Sequence, residues 1–225
     1  MDSIDLLKLL AAVLSLAIAI IGHEIMHGLV AYAYGDSTAK NAGRLSINPI
    51  KHIDMVGTII VPAMMYFLPM LLGAGGGFLF GWAKPVPVDM RKVHAKGGYN
   101  AAMQVDLAGI FYNFSLATVA SVFLVMMQAP TTADSTLYLF TYIFAMQLVI
   151  INVVLGVFNL LPIPQFDGAN FLSHLALKYN KQEIANFFYK YEKYSLIIVL
   201  IVIATPIKEY VLFLPVRVIL NLLSS

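Results

Sequence analysis

Apolar residues in this chain come in long runs, broken at points where proline, glycine or charge interrupts them. The first run extends from residue 4 to 34 without a gap, and Gly35-Asp36 ends it. At 1.5 Å per residue it is long enough to cross a bilayer even when tilted. Residues 1–5 carry two acids and no basic cluster, so the pattern predicts a first transmembrane helix and not a cleavable leader. A second stretch, about 56–80, contains Pro62, Pro69 and the glycines of 73–77, which argue against one straight helix. Pro85 and Pro87 then forbid helix across 82–88 and predict an extended strand or polyproline segment. Further apolar runs cover about 100–127 and 137–161. A mixed amphipathic segment at 170–194 follows, then shorter apolar runs at 195–205 and 210–223. No internal repeat is visible. The pattern predicts an all-α polytopic membrane protein of about five to six transmembrane helices, with a re-entrant or β-strand segment around 56–88. It reads as one membrane-embedded domain, 1–225, with a core at 5–170 and C-terminal helices at 171–225.

Composition agrees with that reading. Of 225 residues 60% are hydrophobic and 12% charged, half the charge of a soluble domain. The formal net charge of +2 excludes a nucleic-acid binder, and the same numbers exclude a disordered chain. The lipid bilayer is the expected partner. With no cysteine there are no disulfides and no thiolate metal sites.

Loop charges predict the orientation. Residues 36–54 contain Lys40, Arg44 and Lys51, and residues 84–98 contain Lys84, Arg91, Lys92 and Lys96. Residues 178–193 carry four lysines, whereas 128–135 carry only Asp134. The positive-inside rule puts the first three segments in the cytoplasm and the last outside. Two successive loops on one side require the stretch between them to dip in and return, or to cross twice. Membranes tolerate such irregular backbone where protein or water covers it.

The first helix contains His23-Glu24-Ile25-Met26-His27. Residues i and i+4 project from one face, so both imidazoles can meet one metal ion. Glu24 stands beside them, able to take a proton from a bound water. This is the H-E-x-x-H arrangement of zinc hydrolases. Ionisable groups at the middle of an apolar helix are costly and mark function more often than structure. A catalytic zinc needs a third protein ligand. His52, His94 and His174 read as solvated loop histidines, which leaves Asp106 and Asp167 as acids at membrane depth. Asp106 and Asn113 lie seven apart with Gly109 between them, a stripe suited either to close helix contact or to catalysis. Asp106 reads as a structural acid. Asn152 and Asn159 form a second stripe, and Asn159 adjoins the break at Pro162 and Pro164.

Taken together, His23-Glu24-x-x-His27 and, far downstream, Asn159-x-x-Pro162-x-Pro164-x-x-Asp167-Gly168 resemble the site-2 protease (peptidase M50) family. The segments at 42–54, 81–88 and 107–113 are similar to parts of its compact prokaryotic branch, so the resemblance covers about 20–170. The chain departs from the family pattern at Ile110, Ala169 and Met55, none of them a ligand position. The resemblance implies one zinc ion held by His23, His27 and Asp167, with Glu24 as catalytic base. It also implies Asn113 as a donor to the developing oxyanion; Asn159, from its place beside the helix break, reads as a further cavity residue. The expected activity is intramembrane hydrolysis of a transmembrane protein or peptide substrate in a prokaryotic cell membrane, with the active site toward the cytoplasmic side. Trp82, Pro85, Val86 and Pro87 would hold the unwound substrate extended by edge pairing. Two other readings remain open from sequence. One is a transporter or channel using the buried His/Glu/Asp cluster as an ion pathway; the other is a zinc-binding relative without activity.

Overall fold

In a computed structural model, residues 3–60, 83–131 and 133–224 are described. Helix α1 is Ser3–Ala33, and Gly35 (φ 85°) turns the chain out of it. A single turn, α2 (Thr38–Asn41), a 3-10 turn at Pro49–His52 and a π turn at Met55–Ile60 follow. Helix α3 (Met90–Met126) starts where the Asp89 side chain accepts from the Arg91 N–H, and it bends at Gly98, whose φ of 60° suits glycine. Helix α4 (Thr136–Leu160) is capped by Ser135, which accepts from the Tyr138 N–H. After the prolines come α5 (Asp167–Lys178), α6 (Gln182–Tyr191), α7 (Ser195–Ala204) and α8 (Leu214–Ser224).

Helices α1, α3 and α4 form the central bundle and pack on one another, and α5 packs on α3. Their contacts are built from small and β-branched residues: Ala31 against Val93, Ala101 and Val105, and Ala117 and Ala120 against Val149, Val153 and Val157. Small side chains let helix backbones approach where lipid supplies no hydrophobic drive. The large apolar residues face outward instead, among them Leu6, Val13, Phe111, Val119 and Val125. This inverts the pattern of a soluble bundle and accounts for the missing surface charge.

Three described helices are long and apolar enough to cross a membrane: Ile4–Ala33, Met90–Met126 and Thr136–Leu160. A fourth passage is added if Gln182–Ala204 and Glu209–Ser224, bent by 89°, count as one broken span. The protein is therefore all-helical among the described residues, which contain three to four candidate spans. The expected re-entrant stretch falls mostly on 61–82, outside the described residues, as does Trp82. Residues 83–88 form no helix, consistent with the prolines, and pair with no strand among the described residues.

The two basic loops meet at one end of the bundle. The Asp89 N–H donates to Asp36 Oδ2 at 2.7 Å, Lys92 Nζ lies 3.4 Å from Asp36 Oδ1, and the Lys84 N–H donates to the His52 carbonyl at 2.9 Å. Asp36 is fully buried. Burial pushes its carboxyl upward, but donors from Thr38, Asp89 and Lys92 outweigh that and hold it below the usual carboxylate range.

A candidate metal centre beneath an extended segment

The i, i+4 spacing does what the sequence implies. His23 Nε2 and His27 Nε2 stand 3.0 Å apart, and Asp167 Oδ2 lies 3.0 Å from the first and 3.4 Å from the second. Among the described residues these three form the one group whose ligand atoms converge in this way. Asp167 reaches them because Pro162 and Pro164 stop α4 and a new helix starts at Asp167 itself.

The outer nitrogens of both rings fix their tautomers. Asn113 Nδ2 donates to the Ala19 carbonyl (3.3 Å) and to Asn152 Oδ1 (2.9 Å), which leaves Asn113 Oδ1 to accept from His23 Nδ1 at 2.7 Å. His27 Nδ1 donates to the Val105 carbonyl at 2.7 Å. With both Nδ1 atoms protonated, each Nε2 presents a lone pair. Two lone pairs and a carboxylate thus converge with no donor among them, and the buried Asp167 Oδ2 has no hydrogen-bond partner. Such a triangle needs a cation. Its edges match the roughly 3.3 Å expected between tetrahedral ligands about 2.0–2.1 Å from zinc. The donor set and its outer partners fit that ion.

Gly109 makes room for the imidazoles. A Cβ there would lie 2.5 Å from His23 Cε1, His23 Nε2 and His27 Nε2. Glycine is therefore required on this turn of α3 by close approach.

Glu24 accepts a hydrogen bond from the Val86 N–H through Oε2 at 2.7 Å, so the extended segment lies directly over it. His23, Glu24, His27, Asn159 and Asp167 all line one cavity of about 630 Å³, and Pro85 and Val86 form part of its wall. Pro87 is not among the lining residues. Asn159 faces the cavity while its Nδ2 donates to the Leu155 carbonyl at 3.0 Å.

Three sequence expectations need correction. Asn113 is completely buried and does not line the cavity. Both its amide hydrogens are committed to Ala19 and Asn152, so it has no donor for an oxyanion and instead orients His23. His52 and His174 are not solvated loop residues. His52 is buried against the Ser46 carbonyl, and His174 is buried against Asp106, with Nδ1 to Oδ2 at 2.6 Å. The roles of Val105 and Asn152 as partners of the site escape sequence reasoning, although Asn152 itself stands in a polar stripe. The Val105 carbonyl is invisible to any side-chain pattern. Asn152 is visible as an asparagine at membrane depth, but it lies 39 residues from its partner.

The model of peptidase family M50 matches residues 131–204. A curated relative from Bacillus subtilis (strain 168), named "Putative zinc metalloprotease YwhC", is 36% identical over 205 residues, covering 89% of this chain and 83% of the relative. No solved structure matches the chain. The chain belongs to peptidase family M50. That membership sets aside the ion-pathway reading, which the sequence alone had left open.

Proposed function

We propose that this protein is an intramembrane zinc endopeptidase of the site-2 type, in which His23, His27 and Asp167 would hold the metal and Glu24 is the base. The observation that carries this reading is three lone-pair donors converging within 3.0–3.4 Å beside a carboxylate, on the wall of one cavity. When bound, zinc supplies Lewis acidity, acidifying water and polarising a carbonyl. Glu24 takes the proton of a water whose oxygen bonds to the scissile carbonyl carbon. As the C–N bond breaks, Glu24 returns that proton to the leaving amine. The Val86 N–H fixes the plane of the Glu24 carboxylate, so the base is aimed before substrate arrives.

The substrate is a transmembrane segment or membrane-anchored peptide, which must unwind to offer a carbonyl. Segment 83–88 can receive it, and its middle, 84–87, offers carbonyls and no free N–H. The Lys84 and Val86 N–H groups are already bonded to His52 and Glu24, and Pro85 and Pro87 have none. A substrate strand laid there would be held by its own N–H groups donating to the segment's carbonyls. Trp82, Pro85, Val86 and Pro87 are the proposed substrate-binding residues, and Asn159, which lines the cavity, is a further proposed contact.

The reading extends to topology. Loops 36–54 and 84–98 share one end of the bundle and carry the Lys/Arg excess, which supports a cytoplasmic placement of that end in a prokaryotic cell membrane. Stretch 56–80 would then re-enter or cross twice, bringing the total to five or six spans. Residues 1–225 act as one unit, since the family match at 131–204 runs across the division between the core and the C-terminal helices. Cleavage of a transmembrane substrate by the purified protein in detergent, abolished by a chelator and restored by zinc, tests the function. Cleavage that survives the chelator would defeat it.

A further inference from the structure

One turn of α3 touches both sources of metal ligands. The carbonyl of Val105 takes the His27 Nδ1 proton, and the next residue, Asp106, points to α5, which begins with Asp167. Asp106 Oδ2 lies 2.6 Å from His174 Nδ1, and both side chains are buried. His174 is seven residues beyond Asp167, hence two turns along the same helix face, about 10.5 Å.

Phe171, Leu172, Leu175 and Leu177 of α5 are half-buried, but little that is directional fixes its register against α3. Its buried face consists of Gly168, Ala169, Ser173 and Ala176 beside His174. Small smooth residues of this kind fit a neighbouring helix at more than one offset. The Ser173 hydroxyl is spent within α5 on the Ala169 carbonyl. A second polar contact from α5 to α3, Lys178 Nζ to Asn100 Oδ1 at 2.7 Å, is exposed and worth little. Helix α4 fixes only the start of α5, where Gly168 packs closely against the Leu160 backbone. Between them lie two prolines and Gln165 at φ 72°, so the helix axis is not continued. A directional buried hydrogen bond selects one register where packing does not.

We propose that Asp106 and His174 are positioning residues that pin α5 to α3 at the offset where Asp167 meets His23 and His27. The inference rests on the metal-site reading above. It assigns Asp106 a task beyond structural stability, since the pair acts on zinc through Asp167 alone.

The test is zinc affinity, measured by competition with a chromophoric chelator on purified protein. The set is the parent, Asp167→Ala, Asp106→Ala, Asp106→Asn, His174→Ala and the double variant Asp106→Ala/Asp167→Ala. We expect Asp106→Ala and His174→Ala each to weaken zinc binding by about tenfold, the lower end of what supporting partners contribute. Asp106→Asn keeps an acceptor for His174 Nδ1 and should restore most of the affinity. In the double variant the Asp106 substitution should cost nothing beyond Asp167→Ala, because there is no ligand left to position. His174→Ala leaves Asp106 on the cavity wall and reports the same loss if Asp106→Ala does not fold. An equal loss from Asp106→Ala with and without Asp167 would overturn the inference, as would unchanged affinity in both Asp106→Ala and His174→Ala. If Asp167→Ala itself kept full affinity, the metal-site reading would fall instead.

Discussion

The two histidines and the aspartate of the proposed metal centre are held in opposite ways. His23 and His27 stand in the last third of a 31-residue helix, each with its outer nitrogen locked by a partner on α3. The helix is tied again at its end, where Asp36 binds the start of α3. Asp167 opens a short helix after a proline break, next to a residue with positive φ, and no donor reaches its buried oxygen. The histidine side is thus preorganised whether or not a metal binds, while the aspartate side depends on the docking of α5. Sites built on continuous elements hold their geometry better than sites at element ends.

Substitutions can break this contrast at several points. Asp167→Ala should remove most of the bound zinc and all proteolysis, with folding little changed, since the helix it opens has other contacts. Metal analysis together with a thermal melt in detergent checks both halves. Gly109→Ala should come next. Its Cβ would force two imidazoles aside, lowering zinc affinity by more than about tenfold and stability by on the order of 1–3 kcal/mol. Asn113→Ala frees the His23 ring, so zinc affinity should fall by about 10- to 100-fold. Asn152→Ala, one hydrogen bond further out, should lose less, and an Asn152 effect larger than that of Asn113 would show the relay drawn the wrong way round.

The smallest expected effect is the pH dependence of the tie at the end of α1. The folded carboxyl of Asp36 is held below its ordinary range, so its stabilising contribution is complete above about pH 4, the unfolded value, and fades as pH falls through the lower folded one. Melting temperatures of the parent and Asp36→Asn should therefore differ near neutrality and converge in strong acid. A gap that widened on acidification would have the wrong sign.

Much of the site was legible in the sequence because its chemistry is local. The His23-Glu24-His27 spacing sits within one helix, and a helix converts spacing into direction. Asp167 needed the family resemblance, since residue spacing left Asp106 open beside it. Asn113 was correctly marked as special and wrongly cast, because its role is decided by Ala19 and Asn152, both distant along the chain. His174 was misread for a related reason: a lysine-containing segment looked solvated, and its partner Asp106 lies 68 residues away. Long apolar runs set the helices to within a residue or two at 4–33 and 136–160, whereas α3 begins ten residues earlier than its apolar run. A polar first turn capped by Asp89 has no hydrophobic signature.

The central claim is that Glu24 moves the proton while three other residues hold the metal. Zinc content and cleavage of a transmembrane substrate, measured side by side on purified parent and Glu24→Gln protein, test it directly. The amide introduced by Glu24→Gln can keep its place on the cavity wall but cannot take a proton. The variant should therefore bind zinc as the parent does and cleave slower by at least about two orders of magnitude. Cleavage at the parent rate with zinc bound would contradict the account.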